Sequence, residues 1–316
     1  MFRSITILVL IFAIITALSY NWIYEFYTVF GYNRPHIKPY ENGKCRKIEG
    51  VEACEDIHIH HRTGYAFMAC GKEIERIRGY WPPIGTYNSS IQSIDTPYIY
   101  DINNDKLIPL VLKNFPPEED FATHGLGIYE DPENENKLYL FLQDIFPLPW
   151  ANVVFHSSIT NETKIVAEMR TPNGITANFD HSLLYVATTS GHVLIYERNK
   201  NNNELKLKDK MFTGYATDNL SVDEETGEIY GAIFQDLYQI MIYGNDLELP
   251  LMATGIFKIS NNTKGGDEKY SLETIFEDDG SLYKLTTIAA VDRKRNTLLL
   301  GSYRSKGIVR CDSLEP

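Results

Sequence analysis

The chain has 316 residues, 43% hydrophobic and 23% charged, with 42 acidic against 30 basic side chains and a formal net charge of -12. That is ordinary for a globular protein and long enough to bury a large core. The acidic excess repels nucleic acid and anionic lipid, no basic patch counters it, and carboxylates mixed with asparagine amides suit hard cations such as calcium instead.

Arg3 precedes a stretch, residues 4–24, without a charge, and Ile5 to Leu18 is almost wholly apolar. Such a segment is a signal peptide or an uncleaved signal-anchor. It is just long enough to span the roughly 30 Å core of a bilayer, and the cleavage candidate around Ala17 and Ser19 runs into bulky Tyr20 and Trp22, which favours the anchor. With Arg3 cytosolic, everything beyond Tyr24 is expected to be lumenal or extracellular, placing the protein in the secretory pathway, anchored to a membrane or secreted. The expected division is 1–24 as signal-anchor or signal peptide, 25–39 as linker and 40–316 as one β domain.

Four cysteines fit an oxidising compartment. Cys45 lies just before the first of the repeats described below and Cys311 just after the last, so a bridge between them would close the domain on itself. In a hairpin folding around Arg62 and Thr63, Cys54 falls opposite Cys70, as a cross-strand disulfide or as two buried thiols. Sequons at Asn88, Asn161, Asn219 and Asn261 suit the same route.

Five times a polar residue stands at the foot of a strand that is followed, after a short turn, by a second apolar strand. The copies begin at Glu55, His124, Asn173, Asp218 and Thr286. Self-similarity at this spacing predicts a radial repeat, with the polar residues lining one central site. Strand-length apolar runs then follow in order. The first unit comprises 55–60, 65–70, 97–102 and 106–112; the second 125–130, 137–143, 152–157 and 163–169. The third comprises 174–179, 183–188, 192–197 and 204–212; the fourth 219–224, 228–234, 253–260 and 271–277. Three more at 286–292, 297–303 and 307–311 leave a place for a strand from before Glu55, the usual closure of a β-propeller. The fold class is all-β, a propeller of four-stranded blades, with 81–88 and 238–251 as loops or short helices on one face.

The runs ENGKCRKIEGVEACEDIHI, HGLGIYED, PNGITANFD, TDNLSVDEETGEIY and KGIVRCD together resemble the paraoxonase/arylesterase family, most closely its fungal members, over about residues 40–316. That resemblance implies a six-bladed propeller with two calcium ions in its central tunnel, hydrolysing lactones and aryl esters. It assigns Glu55, Asn173, Asp218 and Asn219 to a catalytic calcium, and Asp56 with the Leu126 carbonyl to a structural one. His124 matches the first histidine of the family's dyad, and Cys45 with Cys311 its disulfide. A calcium left partly open polarises an ester carbonyl while a histidine activates water.

The departures are specific. The family's Asn-Asp pair has no counterpart between Gly125 and Asn173, which leaves each calcium one protein ligand short, and the second dyad histidine is missing near Gln143 or Asp144. Five complete blades are counted against six, either because coding sequence is missing or because this is a five-bladed relative. The alternative to a hydrolase is therefore a non-catalytic propeller scaffold or ligand-binding protein, and a third reading is the wider class of calcium-dependent propellers. Zinc at His58, His60 and His61 lacks a third ligand, and strand-end polarity accounts for them. Tyr80, Trp81 and Tyr87 form either a wall over the tunnel mouth or a cover for the core edge. No nucleophile elbow or P-loop is present, so serine-hydrolase and nucleotide chemistry have no support.

Overall fold

The computed structural model describes residues 2–32, 34–75, 95–111, 123–131, 134–144, 152–157, 162–169, 171–243, 250–261 and 269–313. It begins with one long helix, α1 (Phe2–Phe30). Strands β1 (Cys45–His60) and β2 (Tyr65–Cys70), a single turn α2 (Glu73–Glu75), β3 (Tyr98–Asp101) and β4 (Lys106–Pro109) follow. Next come β5 (Thr123–Asp131), β6 (Asn134–Asp144), β7 (Asn152–Ser157) and β8 (Glu162–Glu168). A second group runs β9 (Pro172–Ala177), β10 (Leu183–Thr188), β11 (His192–Arg198) and β12 (Leu205–Phe212). A third runs β13 (Ala216–Val222), β14 (Ile229–Phe234), helix α3 (Leu237–Tyr243), β15 (Thr254–Asn261) and β16 (Tyr270–Asp278). The chain closes with β17 (Thr286–Asp292) and β18 (Thr297–Cys311).

The protein is all-β, a β-propeller of antiparallel sheets. Strands β9–β12 and β13–β16 are each a complete four-stranded sheet in sequence order. The N- and C-terminal strands share a six-stranded sheet, β17-β18-β1-β2-β3-β4, because β18 and β1 each serve two neighbours. Residues 297–302 of β18 pair with β17 and residues 302–311 pair with β1, so the two strands expected at 297–303 and 307–311 form one run. Likewise residues 45–54 of β1 face β18 while residues 54–60 face β2. The second unit has its four strands as two separate hairpins, β5-β6 and β7-β8, the linking residues 145–151 lying outside the described set.

Burial follows position in the sheets. Strands β14 and β17 are buried at every residue, as expected for strands covered on both faces; β14 reads IYGAIF and β17 TTIAAVD. Outermost β12 carries Lys206, Lys208 and Lys210, charges that keep an open edge from pairing with another chain. The core lies between sheets. Ile57, Met68, Tyr100, Ile288, Leu299 and Ile308 pack at the closure, and Leu220, Ile233, Phe257 and Tyr185 between the β9–β12 and β13–β16 sheets. Five inner strands stand side by side, β5 next to β1, β1 next to β17, β17 next to β13 and β13 next to β9.

Cys45 pairs with Cys311 across β1 and β18, and the two form a disulfide spanning 266 residues of sequence. Closing so long a loop stabilises by up to about 5 kcal/mol in the chain-entropy view. Cys54 and Cys70 form the second bridge, resolving the choice between disulfide and thiols.

The end of α1 belongs to the body of the protein. Residues 25–39, expected as linker, contribute Val29 to a core with Ala216, Phe234, Met252, Leu285 and Tyr303. Arg34 donates to the carbonyls of Thr28, Gly214 and Gln235 at 2.7, 2.5 and 2.6 Å, and its guanidinium stacks 3.9 Å over Tyr215. Phe30 and Tyr32 meet Tyr238 of α3 edge-on. The segment Val9–Phe30, which overlaps that end, is apolar and long enough to cross a bilayer, a property shared by signal sequences.

Candidate metal and catalytic site

The same backbone device recurs at the foot of all five inner strands. On β1, Cys54 faces Cys70 and Asp56 faces Ala69, so Glu55 is an extra residue, a β-bulge. On β5, Thr123 faces Asp144 and Gly125 faces Gln143, leaving His124 extra. Asn173 and Gly174 on β9 lie opposite Ala187 alone, and Asp218 and Asn219 on β13 opposite Ala232 alone. On β17 the extra residue is Thr287. A bulge breaks the strict alternation of side chains and re-aims those beside it, which is how strands packed on both faces present polar groups inward. Gly174 is required here. A Cβ on it would overlap the Cα of Asn219, so only glycine lets β9 approach β13 this closely.

The bulges bring the expected residues together. Glu55, Asp56 and Asp218 are 1%, 6% and 3% exposed. Thr287 Oγ1 donates to the Glu55 carbonyl at 2.8 Å and Asn219 Nδ2 to the same oxygen at 3.3 Å. His124 Nε2 lies 3.6 Å from Glu55 Oε1, an ion-pair distance too long for a hydrogen bond. Burial, then the charges of Glu55 and Asp56, push the Asp218 carboxyl well above its usual range; bonds from the Asn173 side chain and the Asn219 amide only partly oppose them. Asp218 Oδ1 is buried with no donor among the described residues.

Asp56 is placed differently from Glu55. Its Oδ1 accepts from the Ile57 amide at 2.9 Å and its Oδ2 from the Leu126 amide at 2.9 Å, with His58 Nε2 at 3.4 Å. Asp56 therefore reaches Leu126 through the N–H. His60 turns to Thr63 Oγ1, 2.8 Å away, so the three histidines do not act as a set.

The donor chemistry fits a hard cation: crowded carboxylates and amide oxygens, no sulfur, and a buried carboxylate oxygen lacking a donor. Among the described residues no three His, Cys, Asp or Glu side chains converge closely enough to hold a metal by themselves. A cation here would draw on the Asn173 and Asn219 amides and on water. The Tyr80, Trp81 and Tyr87 cluster and the sequons at Asn88 and Asn161 lie outside the described residues. Thr287 was visible in sequence only as part of the fifth copy, and Asp95, which contacts Thr123, carried no signal.

A row of inner strands bulged at acidic, amide, hydroxyl and histidine residues defines a propeller built around one polar centre. A family model described as Arylesterase matches residues 136–312. The bovine "Serum paraoxonase/arylesterase 2" is 30% identical over 315 residues, covering 82% of this chain and 86% of that protein. The mouse "Serum paraoxonase/lactonase 3" is 27% identical over 197 residues, covering 62% of this chain and about half, 51%, of that protein. Among solved structures, a "Luciferin-regenerating enzyme" aligns over 88% of this chain and 96% of its own, at 15% identity and a TM-score of 0.49. The chain belongs to the paraoxonase/arylesterase family.

Proposed function

We propose that this protein is a calcium-dependent hydrolase of lactones or aryl esters. The carrying observation is the buried cluster of Glu55 and Asp218 with Asn173 and Asn219, in which Asp218 Oδ1 has no donor among the described residues. Those four residues would hold the ion. Calcium bound there supplies polarisation of a substrate carbonyl and stabilisation of the developing oxyanion. The His124 imidazole, whose Nε2 stands 3.6 Å from Glu55 Oε1, would take the proton of the attacking water and return it to the leaving oxygen. A second ion at Asp56 and the Leu126 carbonyl has less support, because both Asp56 oxygens already accept backbone amides.

The test is calorimetry of calcium with the full-length protein in detergent, with melting in calcium and in chelator and hydrolysis of phenyl acetate and simple lactones. Binding, a melting shift of several degrees and chelator-sensitive turnover are expected. A protein that binds calcium without turnover is instead a scaffold or ligand-binding propeller. That second reading draws on the missing counterpart of the dyad's second histidine near Gln143 or Asp144. A protein that neither binds calcium nor turns over these substrates overturns the proposal.

A further inference from the structure

Asp95 lies outside every repeat, in the short segment that enters β3, and is 3% exposed. Its Oδ2 accepts two bonds from one residue of the neighbouring inner strand, Thr123 N at 2.7 Å and Thr123 Oγ1 at 3.1 Å. Thr123 is fully buried, begins β5 and directly precedes His124. Two residues beyond His124, Asp56 Oδ2 takes the Leu126 amide at 2.9 Å. The bulge that carries His124 is thus tied on both sides to carboxylates of the adjoining sheet.

A bulge interrupts the ladder, and a buried N–H at its edge needs an acceptor from elsewhere. Any carbonyl could satisfy that need. A carboxylate oxygen taking both donors of one residue fixes the backbone and side chain of Thr123 together. What it fixes is the root of the His124 side chain, whose Nε2 must stay beside Glu55 Oε1.

We propose that Asp95 is a positioning residue for His124, acting through Thr123. The proposal rests on the reading of His124 as the base of a hydrolase. Asp95 itself touches neither substrate nor metal; it sets where the imidazole sits, and loosening it lets β5 slide relative to β1.

The test compares Asp95→Ala, Asp95→Asn, Thr123→Val and His124→Gln in the full-length protein in detergent with calcium. Asp95→Ala is expected to lower kcat about 10- to 100-fold, with KM and calcium Kd within about twofold of wild type. Asp95→Asn, whose amide oxygen still accepts both Thr123 donors, restores most of kcat, and Thr123→Val, which keeps only the N–H, falls between. In parallel, spectra of protein labelled with 15N-histidine, in which the His124 signals are those lost in His124→Gln, should shift or broaden in Asp95→Ala and not in Asp95→Asn. If wild type is inactive or His124→Gln keeps full activity, the reading of His124 as base fails, and the spectra alone decide the clamp. Unchanged kcat and unchanged His124 signals in Asp95→Ala overturn it. So do Asp95→Ala and Asp95→Asn impaired alike in proportion to lost melting temperature, the mark of a merely structural role. Should Asp95→Ala not fold, wild-type kcat and His124 signals in Thr123→Val overturn the proposal.

Discussion

Asp218 concentrates the electrostatic cost of the site. Its carboxyl is buried, and that burial together with the charges of Glu55 and Asp56 disfavours its ionised form. Replacing it with asparagine removes one of the crowded carboxylates and exchanges a charged ligand for a neutral one. Asp218→Asn is therefore expected to melt in chelator at the wild-type temperature or above, while calcium affinity falls at least about tenfold; calorimetry and thermal melting of one preparation check both. Thr287 works by a single bond to the Glu55 carbonyl. Thr287→Val keeps the shape and removes that bond, worth about 1 kcal/mol. Calcium should bind about fivefold more weakly, and Thr287→Ser should restore it.

At the scale of elements, neighbouring sheets are locked by an ion-pair network near the outer ends of β13, β14 and β17. Arg293 Nε donates to Asp223 Oδ2 at 2.5 Å and its NH2 to Glu228 Oε2 at 2.9 Å, with Tyr230 OH at 3.3 Å. Asp223 is 3% exposed and also accepts the amides of Glu225 and Thr226. Burial works against its charge, but Arg293 and these amides outweigh it and hold the carboxyl below its usual range. A depressed carboxylate contributes stability that is complete above the ordinary value near 3.9 and lost as pH falls through the folded value. Arg293→Ala should thus cost about 2–3 kcal/mol at pH 7, a discount for the partial exposure of the arginine. The melting gap to wild type should narrow progressively as pH falls below the ordinary carboxylate value near 3.9. A gap constant down to pH 3 would assign the effect to packing.

For the whole molecule, the question is where the folded body begins. Val29 in the core and Arg34 with its three carbonyls place that boundary within the end of α1. A protein starting at residue 25 should melt within about 2 °C of full length, whereas one starting at residue 40 should lose about 5 °C or more. It gives up the buried Val29 and the bonds of the half-buried Arg34 guanidinium. Equal melting of the two would return residues 25–39 to the role of linker.

Much of this protein was legible in its residues. Strand-length apolar runs between Asn, Asp and Gly turns identified the strands, because run length and turn chemistry are local properties. The polar residue at each strand foot marked Glu55, His124, Asn173 and Asp218 as one set, since a radial repeat superimposes equivalent positions. Cys45 and Cys311, flanking the repeats, pointed to each other for the same reason. What the sequence could not specify depended on partners far along the chain. The bulges that turn Glu55, His124 and Thr287 inward exist only in the pairing with β2, β6 and β18. The grip of Asp95 on Thr123 joins residues 28 apart, and the seat of Val29 is made by residues from Ala216 to Tyr303, far along the chain. Local propensity sees one strand at a time; register, close approach and the sharing of charge among buried carboxylates arise only when the strands stand beside one another.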